Sequence, residues 1–168
     1  TKKVVKKAQF VYLNAEHISD IAGKIEECIT QGFDTPEQGF GITGEFKNDI
    51  QLIFLEDVIN FCFWPNKGKP KWQVEWPKGN FINGGWYALK ACFERALPEN
   101  PNLLDGKYLS EISLKDVKHL LRSSNGTEIP LIRERMENLH EAGRTLLKKF
   151  DGHFLNVIEQ AKNDAIEL

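Results

Sequence analysis

The chain has 168 residues, with 22 Lys and Arg against 24 Asp and Glu, a formal net charge of −2 and 41% hydrophobic residues. That length buries a core without disulfide or metal staples. The near-balanced charge argues against tight binding to a nucleic-acid backbone, which needs a basic face, and no apolar run reaches the roughly 18 residues of a membrane span.

The chain opens on Thr rather than Met, which points to a segment removed ahead of it. A basic run, Lys2, Lys3, Lys6 and Lys7, follows; it reads as a solvated terminal segment or an RNA contact. From Asn14 the spacing of Ile18, Ile21, Ala22, Ile25, Cys28 and Ile29 predicts a helix, with Asn14 as N-cap, Glu16 in its first turn and Gly32 as its stop. Residues 34–49, with Pro36 and three glycines, read as loop. The stretch from Ile50 to Trp64 has the β-branched and aromatic content of a strand but is too long for one. Read as a helix ending near Phe63, it puts Asp57, Asn60 and Trp64 on one face.

Trp72, Val74 and Trp76 alternate with Lys71, Gln73 and Glu75. This is a half-buried strand closed by the turn Pro77–Asn80. A helix then starts at Gly84–Gly85, carries Trp86, Leu89, Phe93 and Leu97 on one stripe, and ends before Pro98. Ser113 and Asp116 form a capping-box variant ahead of Leu114, Val117, Leu120 and Leu121. Pro130 opens a helix running to about Phe150, with Ile132, Met136, Leu139, Gly143, Leu146, Leu147 and Phe150 inward. Asp151–Gly152–His153 breaks it. A last helix begins near Phe154, with Ile158, Ala161 and Ala165 on one face. It is still in full pattern at Leu168, which suggests that the parent chain continues. The expected fold is therefore mainly α, an α+β arrangement with a small β element, in one domain over 1–168.

Three cysteines, an odd number and without a CxxC pair, suit a reducing compartment such as the cytoplasm. The four histidines have no metal-ligand spacing, so no metal site is expected. Phosphate loops, GxSxG elbows and HExxH motifs are absent. Four groups could carry chemistry. Asp57, Asn60 and Trp64 could read the edge and stack on the face of a heterocyclic base, or could be structural polar groups. Asn83, Gly84 and Gly85 could hold an anion at a helix start or form a tight entry turn. His153, between Asp151 and Asn156, could act as acid or base, or these residues could cap adjoining helices. Arg133, Arg135 and Arg144 could clamp a phosphate or form helix ion pairs with Glu134, Glu137 and Glu141.

Three stretches, "DVINFCFWP", "GGWYALKACFERAL" and "IPLIRERMENLHEAGRTLLKKFDGHFLN", together resemble the queuosine salvage protein family of queuosine 5′-phosphate N-glycosylases. The shared pattern falls on Asp57, Asn60, Phe61, Phe63 and Trp64, then on Gly85, Trp86, Tyr87, Leu89 and Arg95. It ends on Pro130, Leu131, Arg135, Glu141, Gly143, Phe150, Gly152, Phe154, Leu155 and Asn156. The resemblance implies a bundle like the helical DNA glycosylases. It implies hydrolysis of the N-glycosidic bond of queuosine 5′-monophosphate, a small-molecule substrate, to release queuine for tRNA salvage. It implies no metal or organic cofactor, no membrane and no direct nucleic-acid contact. Substrate binding then falls to Asp57, Asn60, Trp64, Trp86, Tyr87, Phe154 and Asn156. The family is roughly double this length, and its catalytic aspartates, near an F-A-D-Y-R-like segment, have no counterpart here. Catalytic residues are thus unassigned, with Asp57 the one candidate within the motifs. A family histidine upstream of the Asp57 block is also missing from "GITGEFKND". The chain accordingly reads as the amino-terminal part of a longer hydrolase. The other readings are a relative that binds a nucleoside or base without cutting, and a helical interaction domain.

Overall fold

The computed structural model describes residues 14–31, 43–65, 67–162, 164 and 166. The basic run at the start, the Gly32 stop and Ala165 lie outside the described residues. The chain divides into two compact units, Thr1–Gly39 and Phe40–Leu168.

In the first unit, helix α1 spans Ala15–Gln31. Asn14 caps it as expected: its Oδ1 accepts the backbone N–H groups of Glu16 and His17, each at 3.1 Å.

The second unit is built on an apolar stripe at Leu52, Leu55 and Ile59. It lies along helix α2, Phe46–Val58, and the residue after it. The helix begins inside the stretch read as loop and ends five residues before Phe63, the expected terminus. The start is explained by Asp49, whose Oδ1 accepts both the N–H and the hydroxyl of Thr43 at 2.8 Å. The end is explained by a distant residue, Arg135, described below. A two-stranded antiparallel hairpin follows: β1, Gln73–Glu75, pairs with β2, Phe81–Asn83, with Val74 opposite Ile82. The alternation held: Trp72 and Val74 are buried, and Trp76 is half-buried.

Helix α3, Gly85–Ala96, buries Leu89, Cys92 and Phe93. A 3-10 turn at Pro101–Leu104 leads to α4, Gly106–Glu111. Helix α5, Leu114–Leu120, is capped by the Ser113 hydroxyl, which accepts from the Asp116 N–H at 3.1 Å and donates to its carboxylate at 2.6 Å. Helix α6, Ile132–Lys149, is the longest of this unit. Its inward face runs through Ile132, Arg135, Leu139, Gly143 and Leu146. Leu147, expected inward, is exposed. The inward positions step by three or four residues from 132 to 146, and Leu147 falls beside that stripe.

Gly143 makes the closest packing in the unit possible. A Cβ there would lie 2.5 Å from the Ser110 N and 2.7 Å from the Gly106 O, both backbone atoms of α4. The turn after α6 uses the same device: Gly152, with φ +80°, places its carbonyl 3.1 Å from where a Cβ on Gly106 would sit. The last helix, α7, spans Phe154–Gln160. It stops eight residues before Leu168, the end of the expected helical pattern; Ala161 forms the C-cap and Lys162 turns to φ +53°. The described residues are thus mainly helical with one small hairpin, the expected class. Among them, no helix is long and apolar enough to cross a membrane.

Candidate functional site

Of the crowded tryptophans, only Trp72 is a core residue. Its indole N–H donates to the Leu121 carbonyl at 3.0 Å, and its ring stacks on Phe63 with centroids 6.2 Å apart. Trp64 is 77% exposed. The difference follows from how the segment after α2 is held.

Arg135 holds it. Its side chain is fully buried, and its guanidinium donates to the carbonyls of Ile59, Phe61 and Cys62. Its Nε donates to the Pro130 carbonyl at 3.0 Å. The cation also lies 4.5 Å from the Phe61 ring centroid and 5.1 Å from that of Phe63. Five donors in a rigid fork suit several convergent carbonyls, which an ammonium could not span. With its carbonyls engaged, the chain leaves the helix, and Cys62 adopts φ +47°. Arg135 is therefore neither an exposed ion-pair residue nor a phosphate clamp. Burial lowers its pKa to about 10. Arg133 and Arg144 are exposed.

This termination separates Asp57 from Asn60 and Trp64, which do not share a helix face as expected. Asp57 and Asn60 still meet: the Asn60 amide donates to the Asp57 carboxylate at 3.5 Å, and both are exposed. The buried carboxylate is instead Glu56, 2% exposed. It continues the stripe of Leu52, Leu55 and Ile59, and that helical spacing was the signal for it in the sequence. Trp86, from the first turn of α3, donates its indole N–H to Glu56 Oε2 at 3.1 Å. Burial pushes the Glu56 carboxyl up to about 7, against the lowering effects of the Trp86 hydrogen bond and Lys90. Trp86 is half-buried and meets the exposed Tyr87 edge-on, with centroids 5.2 Å apart. The start of α3 also runs beside the held segment, since a Cβ on Gly84 would lie 3.9 Å from the Phe63 carbonyl oxygen. Glu56, Trp86 and Tyr87 thus meet where the end of α2 packs on the start of α3; the Asp57–Asn60 pair adjoins Glu56 in the chain, and Trp64 follows on the held segment.

Phe154 and Asn156 are placed elsewhere. The Phe154 N–H donates to Gln51 Oε1 at 2.8 Å, and its ring stacks on Phe54 with centroids 4.2 Å apart. Both rings line an apolar cleft of ≈380 Å³ against α6. The Asn156 amide donates to the Phe150 carbonyl at 2.7 Å, closing the end of α6. His153 and Asp151 line a larger cleft of ≈600 Å³ with Asn48, Glu94 and Asp105. Asn48 precedes Asp57 by nine residues of α2, about 14 Å along its axis. Asn83 lies in β2, where its Oδ1 accepts from Gln73 Nε2 at 2.8 Å.

A second arginine, the half-buried Arg95, donates to the Leu120 and Arg122 carbonyls at 3.3 and 2.9 Å. The arginines of two motif blocks therefore both act on backbone carbonyls. The queuosine salvage protein family profile matches residues 43–168. This chain belongs to the queuosine salvage protein family. Among its relatives is a queuosine 5′-phosphate N-glycosylase/hydrolase of Sphaerobacter thermophilus, 31% identical over 100% of this chain and 50% of that protein. Proteins of the same name from Nematostella vectensis and Bos taurus are 37% and 35% identical, each over 71% of this chain and 34% of the relative. The chain thus spans between a third and a half of the length of these curated relatives. Within the family pattern, the Asp57 block and the Arg135 block meet directly through the guanidinium.

Proposed function

We propose that this chain is the amino-terminal part of a longer hydrolase that cleaves the N-glycosidic bond of queuosine 5′-monophosphate and releases queuine. One arrangement carries the reading, in a chain of this family: Glu56 accepts from Trp86, which meets Tyr87 edge-on, and the next residue, Asp57, accepts from Asn60. Exposed and half-exposed aromatic faces suit stacking on a flat 7-deazaguanine base, and an amide with a carboxylate suits reading its edge. Trp64 extends that wall. Phe154 and Asn156 contribute by bracing the turn before α7. C–N cleavage builds positive charge on the ribose, which a carboxylate stabilises, by analogy with O-glycoside hydrolysis. Asp57 is the exposed carboxylate of the site; the remaining acid–base groups are assigned to the rest of the hydrolase. The free thiols of Cys62 and Cys92 suit the reducing cytoplasm.

The test incubates the chain with queuosine 5′-monophosphate and follows queuine by mass spectrometry, with tryptophan fluorescence as a binding readout. Quenching without release is the expected result. Release would make Asp57 the first residue to replace. Neither quenching nor release would sink the reading for this chain.

A further inference from the structure

Glu56 is buried, yet Oε1 has no hydrogen-bond partner while Oε2 accepts from Trp86. A carboxylate half satisfied in this way is costly, and leucine would fill the same stripe without that cost. The Oε2 hydrogen bond ends on a half-buried aromatic of the wall. Lys90 Nζ lies 5.5 Å from the centroid of the same indole, and Tyr87 meets its edge. The charged groups acting on Glu56 are Asp57 on its own helix and Lys90 and Glu94 on α3.

We infer that Glu56 is a positioning residue: its carboxylate pins the Trp86 indole, and its protonation loosens that aromatic wall. The inference rests on the proposed function only where it concerns base binding. An ionised acceptor makes a shorter and stronger bond than a neutral acid. The group changes state near neutral pH, since burial raises its pKa to about 7. The wall is therefore held more firmly at pH 8 than at pH 6.

The first measurement is a pH titration of the indole N–H resonances of the chain, with Trp86 assigned by Trp86→Phe. The Trp86 signal should shift with a midpoint about 7. The Trp72 signal, bonded to a backbone carbonyl, should stay flat and serves as an internal control. In Glu56→Gln the Trp86 signal should also be flat. The second measurement is the affinity for queuine, which carries no phosphate to titrate, at pH 6 and pH 8. Wild type should bind about fivefold more tightly at pH 8 after division by the change seen in Glu56→Gln, which reports titration of queuine itself. A flat Trp86 resonance in wild type overturns the inference, whether or not Glu56→Gln folds. A titrating resonance with no queuine binding at any pH leaves the coupling standing and defeats the function reading. Binding with the same pH dependence in both proteins does the reverse.

Discussion

At Glu56 a buried carboxyl has its pKa raised from 4.5 to about 7, with burial as the largest cause. The native state then holds a proton between these values that the unfolded chain has lost. Stability is full below pH 4.5 and falls as pH rises through 7. Glu56→Gln removes this loss, so its stability advantage over wild type should grow between pH 5 and pH 8 by on the order of 2 kcal/mol. Urea unfolding at both pH values measures it, and a constant difference would contradict the burial of an ionisable Glu56. The neighbouring pair shows how little separates site from core. Asp57 is one position along the same helix, yet exposed. A helix rotates about 100° per residue, so adjacent carboxyls face different surroundings. The apolar run around both made a buried carboxyl predictable. Choosing between them required the stripe of Leu52, Leu55 and Ile59.

Among the elements, α6 does two jobs with two residues. Gly143 lets α4 approach to backbone contact. Gly143→Ala gains about 1 kcal/mol of helix propensity but drives a methyl into backbone atoms, so the net loss should be about 1–3 kcal/mol. A thermal midpoint equal to or above wild type would show that α4 yields easily. Arg135, two turns earlier, sets where α2 ends. Arg135→Lys cannot cover the Ile59, Phe61 and Cys62 carbonyls together. It should cost about 2–4 kcal/mol, and amide exchange should speed up from Ile59 to Trp64. Unchanged exchange there would remove Arg135 as the cause of helix termination. The sequence pattern of α2 could not show its end, because the residues after Val58 are as apolar as those before. The competing hydrogen-bond partner lies more than seventy positions away.

Across the whole unit, the four tryptophans divide between roles. Trp72→Ala should cost about 3–5 kcal/mol of stability, as expected for a fully buried ring. Trp64→Ala should change stability by no more than about 0.5 kcal/mol, yet weaken queuine binding. Equal destabilisation by both would return Trp64 to the core. What the sequence by itself determined was local. Helical spacing and caps placed most helices, strict alternation placed β1, and the joint occurrence of three motif blocks pointed to the family. These depend on neighbours within a few positions or on residue identity, which the chain displays directly. The tertiary structure decided which polar side chain is buried, where α2 stops and which aromatics face outward. Each was set by a partner distant in sequence: Trp86 for Glu56, Arg135 for the segment after α2, and the Leu121 carbonyl for Trp72. Hydrogen bonds across such separations leave no periodic trace, so only the folded chain reveals them.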